Sequence, residues 1–285
     1  MAKMAASRGR HFLLWRFSLV IMSSSSRYVF GICAFDLNIR LECDNEEMRD
    51  ILDRFMLPPF PRCAFPADAA QIKIYVADKP AGFDILVDQA RVSSAETISD
   101  AALAAVKALD DALVRKLSSL RAVHAGAVVL NGRALLIPGS THAGKSSLVA
   151  ELLRRGAAHL SDEYALIDEF GHVHAYPRPL LLRNGSPKQT LVLPADLNAS
   201  FMKESVPVGW ILAVDYDPEA AWDIRKISLG EAVMLLLRNT PHEMSKSPEM
   251  IEFFTRAVSD AACYAGTRGD VADAAGRVLD LVSGK

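Results

Sequence analysis

Eight consecutive residues carry the strongest chemical signal in the chain. Gly139, Ser140, Thr141, His142, Ala143, Gly144, Lys145 and Ser146 match G-x-x-x-x-G-K-[ST] in full. At ordinary residue usage, such a match arises by chance roughly once in a hundred chains of this length. Its glycines let the backbone curl until several N–H groups, and the helix N-terminus behind them, point at one bound phosphate. Lys145 then meets the β and γ oxygens of a triphosphate, Ser147 completes the cradle, and the Ser146 hydroxyl is placed to ligate Mg2+. Phosphoryl transfer also requires a carboxylate near the metal and the nucleophile. Asp162 and Glu163 answer that need: one helix and one short return carry the chain from Lys145 to this acidic pair.

These side chains must be held by regular elements. Residues 125–130 and 133–137 are apolar runs joined by Asn131-Gly132, the dipeptide that best favours a type I′ hairpin turn. In that register Leu130 faces Arg133, Ala127 faces Leu136, and His124 arrives opposite Gly139. After the loop, Leu148, Val149, Leu152 and Leu153 share one helical face, with Arg154 and Arg155 at its C-terminal end and Gly156 as the stop. Residues 164–168 and 172–176 form a second expected hairpin around Gly171. Hairpins on both sides of the loop predict a mixed sheet, unlike the all-parallel sheet of ordinary P-loop NTPases.

His124, the loop 139–147, the helix end ELLRRGA at 151–157 and the pair Asp162-Glu163 together resemble the HPr serine kinase/phosphorylase family. The resemblance extends to its HPr-kinase-related relatives, some found with lasso-peptide biosynthesis, and it covers residues 120–185. It implies a phosphoenolpyruvate-carboxykinase-like nucleotide-binding fold. It also implies that Asp162 acts as general base on a substrate serine hydroxyl, that His124 lies near the transferred phosphate, and that Glu163 joins Ser146 at the metal. Two departures stand out. The family has Asp-Asp where this chain has Asp162-Glu163, and no counterpart of its E-x-R-G signature is present, so reversal of the phosphorylation is not expected. In place of that signature stands a stretch with Arg178 and Arg183, read either as phosphate- or acid-binding or as solvated.

The rest of the chain reads as support. From residue 35 to 42 apolar and polar residues alternate, as in a half-buried strand. Asp44 and Glu47 form a capping box for a helix over 45–56 that Pro58-Pro59 ends. Ile72/Ile74/Val76 and Phe83/Ile85/Val87 are further alternating runs, and an Ala-rich helix over 100–120 reads as a bridge between domains. Residues 28–98 are thus expected to be a small α+β domain and 99–285 an α/β nucleotide-binding domain. Later residues, with a strand over 208–214 and helices over 228–238, 248–258 and 270–282, read as packing. His172 and His174 alternate on a strand without a third metal ligand nearby.

Bulk properties narrow the function. Apolar residues make up 51% and charged residues 23%, and 32 Lys plus Arg against 34 Asp plus Glu give a formal charge of −2. No global basic field points to nucleic acid. Cys33, Cys43, Cys63 and Cys263 lack metal-site spacing and read as small core hydrophobes of a reduced, cytoplasmic protein. Residues 1–27 form a basic, acid-free leader expected to be disordered, with Met22 as an alternative start. Its apolar pieces, split by Arg16, are too short to span a bilayer. The expected activity is transfer of the γ-phosphate of ATP, with Mg2+, to a serine hydroxyl of a protein or peptide; members of the resembled family assemble as homo-oligomers, and the sequence itself carries no signal on that point. The alternatives are a non-catalytic nucleotide sensor and a P-loop ATPase.

Overall fold

The structure is a computed structural model that describes residues 27–56, 60–140, 143–183, 188–241 and 247–284. The expected leader up to residue 26, and Pro58, Pro59, Thr141 and His142, lie outside the described residues. The chain is of the α/β class.

β1 (Tyr28–Ala34) and β2 (Leu37–Cys43) open a five-stranded sheet, and α1 (Glu46–Phe55) follows. The helix is capped by Asn45, whose side chain accepts the Met48 N–H, in place of the expected Asp44. Asp44 instead accepts the Tyr75 hydroxyl. β3 (Ile72–Lys79), β4 (Gly82–Val87) and β5 (Ala90–Ala95) complete the sheet in the order β1-β2-β3-β4-β5. Ile39, Leu41, Ile72, Ile74 and Val76 are fully buried, the inward half of the alternation read from the sequence. α2 (Ile98–Lys116) lies over this sheet. Its Ala101, Ala105, Leu109 and Leu113 belong to the same hydrophobic core as β1–β4, so the helix expected to bridge two domains packs with the first. Tyr176 and Leu166 enter that core from the second half of the chain.

β6 (Arg121–Leu130) and β7 (Arg133–Pro138) form the expected hairpin. Leu130 pairs with Arg133 and Ala127 with Leu136, and Asn131 and Gly132 both have positive φ, as a type I′ turn requires. Then come α3 (Lys145–Arg154), β8 (Ala158–Ser161), β9 (Tyr164–Ile167), β10 (His172–His174), β11 (Leu180–Leu182) and β12 (Thr190–Val192). The chain continues through β13 (Val206–Tyr216), β14 (Asp223–Lys226), α4 (Leu229–Arg238), α5 (Pro248–Ala257), β15 (Ala262–Arg268) and α6 (Val271–Ser283). The second sheet runs β10-β9-β6-β7-β13-β15-β14, with β8 also on β6. It is mixed: β13 is parallel to β7 and β15, whereas β6 is antiparallel to β7, β8 and β9. A further pairing of β10 with β13 closes β6, β9, β10, β13 and β7 into a ring. α3 packs close to β6 because Gly126 has no side chain; a Cβ there would sit 2.5 Å from Val149 Cγ2.

The reading of the cysteines is corrected in part. Cys33 and Cys63 form a disulfide instead of serving as separate core hydrophobes, while Cys43 and Cys263 are free and buried as expected. His172 and His174 both face Asp168, His174 Nε2 at 2.8 Å, so a carboxylate occupies the pair. Among the described residues no helix is long and apolar enough to cross a membrane.

Candidate active site

The loop-bearing strand β7 delivers the chain to Gly139 at the C-terminal end of its parallel pairing with β13, the end at which open α/β sheets bind ligands. Gly144 has φ +76°, a left-handed conformation that glycine adopts without strain, and it caps α3 at Lys145. The Lys145 side chain is buried and curls back on the loop, its Nζ donating to the carbonyls of Gly139 at 2.8 Å and Ser140 at 2.9 Å. Burial lowers its pKa, against the pull of Glu163 and Asp162. The helix N-terminus beside it adds amide dipoles that favour an anion.

A cavity of ≈ 500 Å³ opens here, within the roughly 300–1,000 Å³ of small-ligand sites. Gly144, Lys145, Ser146 and Ser147 form one wall, and His124, Glu163 and Tyr164 another. Lys107, Asp110 and Asp111 of α2 close it from the first core. The β6–β7 ladder ends at the Ala125–Pro138 pair, one residue short of the expected His124–Gly139 opposition; His124 pairs instead with Tyr164 of β9 and lines the cavity. His124 Nε2 lies 3.1 Å from Glu163 Oε1.

The acidic pair is divided by exposure. Asp162 is 0% exposed; Oδ2 accepts the Leu181 N–H at 3.2 Å, while Oδ1 has no hydrogen-bond partner among the described residues. Burial raises its carboxyl, with Arg178 and the neighbouring Ser146 hydroxyl opposing. The Glu163 side chain is 33% exposed and faces the cavity. Burial alone would raise it too, but the His124 hydrogen bond and the Arg178 guanidinium bring it down to about 2. Sequence reasoning expected the proton acceptor at Asp162 and a metal ligand at Glu163; the carboxylate that meets the cavity is Glu163.

Arg178 is neither solvated nor free to meet a phosphate. It is 1% exposed, with Nη2 2.6 Å from Asp110 Oδ2 and Nη1 3.2 Å from Glu163 Oε2. The Tyr176 hydroxyl donates to Asp110 Oδ1 at 2.6 Å. This chain of contacts ties α2 to the acidic pair. Asp110 was not singled out in the sequence, although an acid on the apolar side of an Ala-rich helix marks a buried partner. Tyr216 and Arg268, at the ends of β13 and β15, also reach the loop, and the apolar run before Tyr216 concealed it. Arg268 Nη2 donates to the Gly144 carbonyl at 2.8 Å.

A divalent cation fits this donor set. Asp162 keeps one buried oxygen, Oδ1, without a partner among the described residues, and its carboxyl neighbours the Ser146 hydroxyl at the head of α3. Mg2+ is ordinarily held by one or two carboxylates plus substrate phosphates, without a dedicated protein cage. Among the described residues no group of three or more His, Cys, Asp or Glu is arranged around a metal. Ala143 is a buried part of the loop, and Ser140 faces a second cavity on the loop's other side. No protein-family model matches the chain, and no curated protein matches it.

Proposed function

We propose that the chain is an ATP-dependent kinase of the HPr serine kinase type, with the second sheet as a phosphoenolpyruvate-carboxykinase-like nucleotide-binding fold. The acceptor is a serine or similar hydroxyl of a protein or peptide. The observation that carries the reading is convergence: a phosphate-loop lysine, a helix N-terminus, His124 and an acidic pair distant in sequence line or adjoin one cavity.

In this reading the loop amides and Lys145 bind the β and γ phosphates, Lys145 leaving its two loop carbonyls to do so. Ser146 and Asp162 hold Mg2+, which when bound neutralises charge on the phosphates. Glu163, held ionised between His124 and Arg178, orients the acceptor hydroxyl. As the hydroxyl oxygen bonds to the γ-phosphorus, the bond from phosphorus to the β–γ bridging oxygen breaks and ADP leaves, and Glu163 takes the proton late, when the phosphorylated hydroxyl has become acidic. His124 stands near the phosphate in flight and steadies Glu163. The nucleotide-sensor reading draws on the Asp110–Arg178–Glu163 chain, which links the first core to the site.

The deciding experiment incubates the protein with Mg2+ and γ-labelled ATP, with and without lysate of the source cell. Wild type is expected to label an acceptor, and Glu163→Gln to lose about 10²-fold or more in transfer while keeping ATP affinity. ATP binding with no transfer to any acceptor, unchanged in Glu163→Gln, would favour the sensor. Rapid phosphate release to water without an acceptor would favour the ATPase.

A further inference from the structure

The cavity beside the phosphate loop has two flanks, and the sheet order tells them apart. β8, which leads into Asp162 and Glu163, pairs with β6 on one side of β7. β13, which ends at Tyr216, pairs with β7 on the other. If phosphate leaves toward the acidic pair, the nucleoside must extend toward β13.

Tyr216 stands on that flank with an unusual mounting. Its side chain is 49% exposed, one of few large apolar side chains so open among the described residues, and it lines the cavity with Gly144, Ser146 and Ser147. Beneath it lies Arg268, its neighbour in the parallel register, with Cζ 4.9 Å from the ring centroid. Arg268 is 2% exposed; its Nη1 donates to the Gly269 carbonyl at 3.0 Å and its Nη2 to that of Gly144, leaving Nε without a partner among the described residues. The ring is therefore held from below by a group that also grips the phosphate loop. A flat ring, fixed on one face and open on the other, offers a stacking surface at a set distance from the phosphates. The other aromatic on the cavity wall, Tyr164, lies at the carboxylate flank near His124.

We infer that Tyr216 is the base platform of the nucleotide site: the nucleobase stacks on its open face, with Arg268 holding the ring in register with the loop. This rests on the nucleotide reading above. Stacking is tolerant of ring type, so the platform accepts adenine and guanine alike and gains most from a purine's larger face.

Calorimetric titration of the full chain with Mg-ATP and with Mg-tripolyphosphate tests it, because tripolyphosphate carries the phosphates and no base. Tyr216→Ala is expected to weaken ATP about tenfold or more while leaving tripolyphosphate unchanged, and Tyr216→Phe to bind both as wild type does. Unchanged ATP affinity in Tyr216→Ala overturns the platform, with the nucleotide reading intact. An equal loss for both ligands also overturns it, since Tyr216 would then act by supporting the loop. If wild type binds neither ligand, the nucleotide reading falls and takes the platform with it.

Discussion

The first sheet and the phosphate-loop sheet differ in what they bury. Among the described residues, the wholly buried polar and charged side chains begin at Asp110; residues 27–109 contribute none, while Lys145, His159, Asp162, Arg178 and Arg268 are all enclosed. The first sheet is stabilised by the burial of alternating aliphatic residues, each burying apolar area and asking nothing of its neighbours. The second takes on groups that are costly to desolvate and must find partners, and some, such as both ring nitrogens of His159, find none among the described residues. The lesson is that the costly groups are not spread through the fold. They gather where the loop and the acidic pair meet, as expected where charge placement matters more than stability.

Three perturbations test that contrast, in falling order of effect. Arg178→Ala leaves Asp110 buried without its cation, and chemical denaturation is expected to report a loss of about 3–5 kcal/mol; a loss under about 1 kcal/mol would mean that the network does not hold the second half together. The next perturbation is pH. Burial depresses the His159 pKa to about 3, with Arg178 adding to it. The unfolded chain takes up this proton below about pH 6.5 while the folded chain refuses it down to about 3. The contribution of His159 to stability is thus whole above pH 6.5 and falls as pH drops, by up to about 1.4 kcal/mol per unit. His159→Leu should flatten the acid limb of the stability curve relative to wild type, and parallel curves for the two proteins would refute the assignment. The smallest effect belongs to the first sheet: Ile39→Val should cost about 1 kcal/mol and leave ATP affinity untouched. A change in affinity there would show that packing in the first core, which Leu166 and Tyr176 share, is felt at the site.

Much of the fold was legible because its signals are local. The Asn131-Gly132 turn set the β6–β7 register to the residue, and Ser228 with Glu231 formed the capping box that opens α4. β1 was not legible: its hairpin turns at Phe35 and Asp36, with Phe35 at φ +57°, where neither glycine nor asparagine announces a turn. β5 was hidden by its polar, exposed composition as an edge strand. At the site, the loop and the acidic pair could be read from spacing. Arg178 stood out as a candidate for binding an acid, which Asp110 and Glu163 turn out to be; Asp110, Tyr216 and Arg268 could not be read, because each acquires its role from a partner far away in sequence, up to 124 residues for Arg268 and Gly144.

The Cys33–Cys63 link guards one margin of the first sheet. Residues 61–63 run along the outer side of β1: Cys33 N–H donates to the Pro61 carbonyl at 3.2 Å, Cys63 N–H to that of Gly31 at 3.0 Å, and Ile32 bridges Arg62. The sulfur–sulfur bond fastens that segment in place, so one margin of the first sheet is sealed against adding a foreign strand. Among the described residues the opposite margin, β5, has no such cover, and the charge of Arg91 and the polarity of Ser93 and Ser94 discourage aggregation there. Reduction of the link would leave the sealed margin with backbone hydrogen bonds alone to hold its cover.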